Sequence, residues 1–390
     1  MVHTSTHLYL KREVVDVKRL NSQMANKGLN TEDAVLLIRK SEIANRFNLL
    51  QELLPSCQHH FAVKSCPQNN MIEEWNNLGG HFDVASTGEI ELLENFNIDL
   101  SNCIYTHPIK KEREIAFAIN RGIRIFVVEN YDELNKFMPY QNDVQLMLRL
   151  SFSSEDAGID LSSKFGLMPE HAISFVTNAT DAGFKIAGLC FHVGSQMKSN
   201  SQYIKALSVC KNIYSELENI GICLSILDIG GGFPFHASET AESLHHFFDP
   251  INNFIENNFR NVKCLSEPGR FVSAPIATLI CKVVGKSKRT NCHNYYLNEG
   301  IYGCLSNKIF DFYDFNQMHT YPSKPNDNYI FHNSNLFGPT CDSIDKLLEN
   351  HPLPELSISD TVIFENMGAY TFASTTNFNM LGRINTLAID

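Results

Sequence analysis

The chain has 390 residues, 43% of them hydrophobic and 19% charged, with a formal net charge of −11. That length suits two domains or one large barrel with an appendage, and the composition excludes a disordered chain. The acidic balance, with no run of Lys and Arg interleaved with aromatics, argues against nucleic acid as a partner and suits a cationic small substrate. The eleven cysteines include no CxxC pair. An odd count at irregular spacing reads as reduced thiols, not as a disulfide framework. The start of the chain has no basic region followed by an apolar core, and no stretch approaches the roughly 20 apolar residues that span a bilayer. A cytoplasmic protein with no membrane partner is expected.

The first 25 or so residues, including Leu8-Tyr9-Leu10, are expected to add a strand to a C-terminal sheet. From about residue 30, short β-rich apolar runs recur at 61–63, 82–84, 103–105, 125–128, 146–150, 188–193, 224–229 and 264–265. Stretches of helical periodicity lie between them, as at 71–75 and 204–209. Eight alternating β/α units predict a (β/α)8 TIM-type barrel over 27–268. A doubly wound open sheet competes, but its site would use one or two loops. Here nearly every loop after a strand carries polar or glycine-rich residues. Beyond about Phe271 the strand-like runs 277–284, 294–297 and 361–364 are separated by Asn-, Pro- and Asp-rich connections. They predict a second, mainly antiparallel β domain formed by 1–26 plus 269–390. Residues 321–328 read as loop.

Several residues in these loops suggest chemistry. Lys64 closes the apolar run Phe61-Ala62-Val63, where a lysine is costly unless its amine is used, most commonly as a Schiff base with a carbonyl cofactor. Asp228-Ile229-Gly230-Gly231-Gly232 is a strand running into a glycine turn whose N–H groups can close on phosphate. Glu267-Pro268-Gly269-Arg270 places a carboxylate for a protonated ring nitrogen beside a guanidinium for phosphate, although the two can also simply pair. His192, followed by Gly194 and Ser195, is either a core histidine at a turn or a ring-stacking group. Gly338-Pro339-Thr340-Cys341-Asp342 joins a thiol and a carboxylate in a constrained turn, and 365–370 is a second polar cluster after a strand. No zinc-type His/Cys spacing, dinucleotide fingerprint or P-loop is present.

The strings Phe-Ala-Val-Lys (61–64), Phe-Asp-Val-Ala-Ser (82–86), Phe-His-Val-Gly-Ser (191–195), Leu-Asp-Ile-Gly-Gly-Gly-Phe-Pro (227–234), Glu-Pro-Gly-Arg (267–270), Gly-Pro-Thr-Cys-Asp (338–342) and Phe-Glu-Asn-Met-Gly-Ala-Tyr (364–370) occur in this order. Together they resemble the ornithine decarboxylase-like fold III (alanine racemase-like) pyridoxal-phosphate enzymes from about Phe61 to Asn379. The resemblance implies a barrel followed by a β domain, pyridoxal 5'-phosphate as cofactor, and a head-to-tail homodimer with shared active sites. It implies that Lys64 carries the cofactor, with Asp83 beside it, Glu267 on the pyridine nitrogen and His192 stacked on the ring. Ser195, Gly231, Gly232, Gly269, Arg270 and Tyr370 would hold the phosphate, and Arg149 would order the site behind the cofactor. Cys341 of the partner subunit would protonate Cα. Asp311 and Asp342 match positions that bind a distal amine, Phe378 a residue near the substrate tail, and Lys164 and Asp345 a pair bridging subunits.

The implied reaction is decarboxylation of a basic L-amino acid, ornithine first and lysine second, to a diamine and CO₂. Ser65-Cys66-Pro67, the segment 304–308 and Phe312 depart from the usual family text, which motivates a pathway-specific decarboxylase of a larger or tailored diamino acid as the alternative. Gln196 is shared with diaminopimelate decarboxylases, but those usually carry Cys-Glu-Ser-Gly where this chain has Cys341-Asp342-Ser343-Ile344. A non-catalytic, antizyme-inhibitor-like binding protein is a further alternative, disfavoured because Lys64, Glu267, Arg270 and Cys341 are all kept. An amino-acid racemase is disfavoured by the Cys341-Asp342 motif.

Overall fold

The computed structural model describes residues 17–28, 30–153, 157–158, 163–289, 291–310, 317–322, 330–381 and 384–389. The strand expected around Leu8-Tyr9-Leu10, the candidate Asp311 and most of the 321–328 loop lie outside them. The chain forms two compact units, Ile43–Val272 and Ser273–Asp390, the latter together with the segment ending at Glu42. Strand β1 (Val35–Arg39) belongs to the second unit: it runs antiparallel to β10 (Ala277–Arg289) and parallel to β16 (Asn385–Ile389). The first unit therefore begins near Ile43, not at the expected residue 27. The run Val35-Leu36-Leu37-Ile38 is buried throughout, and such a run does not disclose which sheet it joins.

The first unit is a closed parallel barrel of eight strands: β2 (Cys57–Ala62), β3 (His81–Val84), β4 (Cys103–Tyr105), β5 (Ile125–Val128), β6 (Gln145–Leu150), β7 (Ile186–Phe191), β8 (Ile226–Asp228) and β9 (Lys263–Ser266). These strands read as continuous apolar runs because both faces are covered. Ile104, Val127, Met147, Ala187, Cys190, Ile226 and Leu265 form one interior cluster. β9 closes the ring on β2, with Cys57 opposite Cys264 and His59 opposite Ser266. Just past the strand ends, the Ala62 N–H donates to Pro268 O at 3.0 Å. Thus the ends of the first and last barrel strands, which lead to Lys64 and to Glu267, are neighbours.

The connecting helices pack by their apolar faces. The helix Asn69–Asn77 buries Met71, Ile72 and Trp75. Trp75 lies edge-on to Phe47 with ring centres 4.9 Å apart, and its Nε1–H donates to His81 O at 2.8 Å. Arg46, fully buried on the helix Lys40–Leu53, pairs with Glu239 and lies over the rings of Phe235 and Phe271 at 5.2 and 5.1 Å. This pairing ties the segment after β8 to a barrel helix.

The second unit is an eight-stranded, mainly antiparallel sheet. Its main path runs β12 (Met318–Tyr321), β15 (Thr361–Phe364), β10, β11 (Cys292–Leu297), β13 (Phe331–Phe337) and β14 (Lys346–Pro354). Only the β1–β16 and β11–β13 pairings are parallel among the described residues. Met24, Val35, Leu37, Ile280, Ile363 and Leu387 form an apolar cluster in this unit. All eleven cysteines are free thiols. Among the described residues no helix is long and apolar enough to cross a membrane.

Replacing Trp75 by Ala should destabilise the barrel by about 3–5 kcal/mol, since a large fully buried ring is lost and Nε1–H···O goes with it. Circular dichroism during thermal unfolding measures this without relying on the fluorescence of the chain's single tryptophan. An unchanged melting curve would contradict the packing described.

Candidate active site

The polar residues of the first unit gather where the barrel strands end. Val63–Ser65 is a single 3-10 turn following β2, so Lys64 leaves the barrel wall at its rim. Its Nζ lies 3.2 Å from Asp83 Oδ2 on β3. Asp83 is buried and accepts a second bond at Oδ1 from the Thr106 hydroxyl at 2.5 Å, which fixes the carboxylate that faces the amine. After β3, Ser86 caps the helix Thr87–Glu94 by accepting from Glu89 N, while the Glu89 carboxylate reaches back to Ala85 N at 2.5 Å. The cap therefore also sets Glu89 close to Asp83 and Lys64.

The glycine turn after β8 is packed too closely for side chains. A Cβ on Gly231 would lie 2.2 Å from Glu267 O, and one on Gly232, whose φ is +99°, would lie 2.0 Å from Gly194 O. Tyr203, buried, donates its hydroxyl to Gly231 O at 2.7 Å. Gln196 makes reciprocal amide bonds with Phe235, donating to its O at 3.0 Å and accepting from its N at 2.7 Å. Both side chains thus hold the turn in place. His192 Nδ1 accepts from Gly194 N at 3.1 Å, which leaves the proton of the neutral ring on Nε2. Ser195 and Gly269 lie in adjoining loops, and Arg270 opens the short helix Arg270–Ser273.

Electrostatically the site is crowded with carboxyl groups. Glu267 is pushed well above its ordinary value, first by desolvation and then by Asp83 and Asp228, against the opposing pull of Lys64 and Arg149. Desolvation also raises Asp228 to about 6 and Glu89 to about 7. The His192 imidazole is lowered to about 3 by desolvation, with Arg149 and Lys64 adding to it, so it is neutral at physiological pH. Lys64, Asp83, Arg149, His192, Gly231, Gly232 and Glu267 are therefore one assembly.

The second unit carries a separate cluster. Asp342 accepts from the Tyr302 hydroxyl at 2.5 Å and from Ile344 N at 3.1 Å, and the Tyr302 bond holds its carboxyl below the ordinary value. Tyr302 stacks on Phe378 with ring centres 4.3 Å apart. Cys341 is exposed; its N–H and its thiol both donate to Asn379 Oδ1, at 3.2 and 3.3 Å. Tyr370 has φ +54° in the same unit. Lys164 is exposed, with Nζ 4.9 Å from the Phe165 ring centre. Asp345, by contrast, is buried: it accepts from Ile301 N, Thr340 N and the Thr340 hydroxyl, and so braces the 338–342 turn. Among the described residues no group of three or more His, Cys, Asp or Glu side chains is placed to hold a metal ion.

Glu89, Asp228, Gln196, Tyr203, Tyr302 and Asn379 join these sites without having been expected there as site residues. The signal for Glu89 is its place as the third residue after a capping serine, and for Asp228 its place as the acid ending a strand before a glycine turn. For Asn379 no local signal exists, since its partner Cys341 is remote in sequence.

The barrel's strand ends combine an acid-paired lysine, a glycine turn with no room for side chains and a buried carboxyl group, and these residues fit pyridoxal phosphate. Residues 40–274 match the family model described as the pyridoxal binding domain of pyridoxal-dependent decarboxylases, and the chain belongs to this family. It is 34% identical over 348 residues to the lysine/ornithine decarboxylase of Selenomonas ruminantium, covering 88% of this chain and 86% of that one. The crystal structure of the lysine/ornithine decarboxylase of Vibrio vulnificus, complexed with cadaverine, matches at TM-score 0.88 and 35% identity over 97% of this chain and 100% of that one. The arginine decarboxylase of Paramecium bursaria Chlorella virus matches at TM-score 0.88 and 28% identity, over 96% and 100%. The chain is thus a pyridoxal-phosphate-dependent amino-acid decarboxylase.

Gly232→Ala is expected to yield folded protein that purifies with little cofactor, because a Cβ there meets Gly194 O and the backbone has positive φ. Full cofactor content in that variant would exclude the turn as the cradle. Glu89 generates a pH prediction. Its folded-state value lies above its ordinary one, so its contribution to stability is greatest below the ordinary carboxyl range and is lost as pH rises through about 7. Glu89→Gln should flatten the decline in melting temperature between about pH 5 and pH 8. An unaltered slope would mean that Glu89 is ionised throughout.

Proposed function

We propose that this enzyme decarboxylates a basic L-amino acid, ornithine first and lysine second, to the diamine and CO₂. The observation that carries this reading is the Asp342–Tyr302–Phe378 cluster. A carboxylate kept ionised by a phenol hydroxyl, beside a stacked aromatic pair, suits a side chain with a methylene stem and a terminal ammonium. Asp311, outside the described residues, is proposed as the second carboxylate for that ammonium. The relatives named as lysine/ornithine decarboxylases support the same substrate class.

When bound, pyridoxal phosphate supplies the electron sink for loss of CO₂. Lys64 would hold it covalently, with Asp83 aiming the amine. Glu267 takes the pyridine nitrogen, and the neutral His192 ring lies against the cofactor's face without adding charge. Gly231, Gly232, Gly269, Ser195, Arg270 and Tyr370 hold the phosphate, while Arg149 offsets the negative charge behind the ring. We infer a cytoplasmic homodimer in which Cys341 of the partner subunit returns a proton to Cα. Lys164 and Asp345 are the proposed bridge between subunits. A larger, tailored diamino acid is the second reading, favoured by the unusual text at 304–308, where Lys308 Nζ donates to Lys346 O at 3.0 Å.

Purified, cofactor-loaded protein should be offered ornithine, lysine, arginine, 2,4-diaminobutyrate and diaminopimelate, with mass detection of the amines. Preferred release of putrescine or cadaverine is expected. Bound cofactor with no turnover of any of the five would refute the substrate and favour the tailored one. Cys341→Ala should keep the cofactor and lose about 10²–10⁴-fold in correct amine formation, the usual worth of a general acid. Undiminished product would place the proton donor elsewhere.

A further inference from the structure

The end of β8 holds a buried acid to which neither the fold nor the reaction so far gives a task. Asp228 is completely buried, and its Oδ1 accepts from Gly230 N at 2.9 Å, the first N–H of the glycine turn. Its Oδ2 is buried with no protein donor among the described residues. The adjacent strand brings Glu267 to the same level: Ile229 N donates to Leu265 O at 3.0 Å, and Glu267 N to Gly230 O at 2.8 Å. The two carboxyl groups interact directly. Two ionised carboxylates are both acceptors and repel at that range, so the contact is a bond only if a proton lies in it.

We propose that Asp228 is a positioning residue for Glu267, remaining protonated in the loaded enzyme and donating from Oδ2, so that Glu267 keeps its negative charge for the pyridine nitrogen. The proposal rests on the reading that Glu267 faces that nitrogen. The groups around the pair suit one proton and not two. Asp83 disfavours a further negative charge on either acid, Arg149 favours one, and Lys64 favours it on Glu267. The neighbouring thiols Cys57, Cys190 and Cys264 are held protonated by burial and add no charge. Desolvation raises both acids. The one proton is shared between them until a cationic ring nitrogen lies against Glu267, after which it resides on Asp228. The Gly230 contact links this choice to the phosphate turn, since a single side chain orients both the turn and the carboxylate.

Asn at 228 imitates the protonated acid: its oxygen accepts from Gly230 N and its amide donates to Glu267. In holoenzyme loaded with ¹⁵N-pyridoxal phosphate, Asp228→Asn should keep the protonated-nitrogen chemical shift and the cofactor affinity of the parent. Asp228→Ala should weaken cofactor binding about 10- to 100-fold, the worth of a charge-assisted hydrogen bond, and its ring nitrogen should lose its proton within the accessible pH range. A fall in Asp228→Asn as large as in Asp228→Ala would overturn the proposal, because it would mean that the negative charge of Asp228 is what matters. An infrared difference spectrum, parent minus Asp228→Asn, needs no alanine variant: a protonated carboxylic C=O band is expected in the parent holoenzyme, and its absence overturns the proposal. Glu267→Gln separates the two levels. If it leaves the ¹⁵N shift of the bound cofactor unaltered, the placement of Glu267 on the nitrogen is what fails.

Discussion

The carboxyl groups Asp83, Asp228 and Glu267 share one end of a closed barrel with the cations Lys64 and Arg149, and the rest of the site depends on how that charge is balanced. Asp83 resolves its share by pairing with Lys64 and accepting from Thr106. A lysine so paired is aimed, yet its side chain is still 43% exposed, which leaves the amine accessible. Glu267 and Asp228 have no such cation in contact among the described residues, so their balance requires a proton. Such low-dielectric crowding shifts buried acids toward their protonated forms and suits the proposed pairing of Glu267 with a pyridine nitrogen.

The backbone supplies the complementary half. Parallel strands place every loop that follows a strand at one rim, and the close approach of β7, β8 and β9 is possible because Gly188, Gly231 and Gly232 have no Cβ to collide with the neighbouring carbonyls. The turn that results is held from outside by Tyr203 and by the reciprocal Gln196–Phe235 amide bonds, and from within by the Asp228–Gly230 contact. The proposed substrate-selecting residues lie in a different structural context, a turn braced by the buried Asp345 and a ring pair, Tyr302 and Phe378, in the second unit. Relatives of this one fold are named for lysine/ornithine and for arginine.

Much of this architecture is legible in the amino-acid sequence. The eight apolar runs each coincide with a barrel strand to within a few residues, because continuous burial leaves a strong hydrophobic record. Lys64, Gly231, Gly232 and Glu267 stand out since each breaks the local rule for its element. Other features leave weaker traces. β1 is an apolar run like the barrel strands and joins the other sheet, a choice made by long-range pairing with Ile280 and Leu279. Asp345 is matched by resemblance to a subunit-bridging position, but its three hydrogen bonds come from turns that only the fold brings together. Asp228 lies within a recognisable motif, yet its partner is apparent only from the register of β8 against β9.

In the proposed assembly the cofactor is anchored on Lys64 and nowhere else. Borohydride reduction of the loaded enzyme, followed by proteolysis and mass spectrometry, tests it directly. The account predicts a stable phosphopyridoxyl group on the peptide containing Lys64. A label on any other lysine, or a loaded enzyme that cannot be labelled at all, would contradict it.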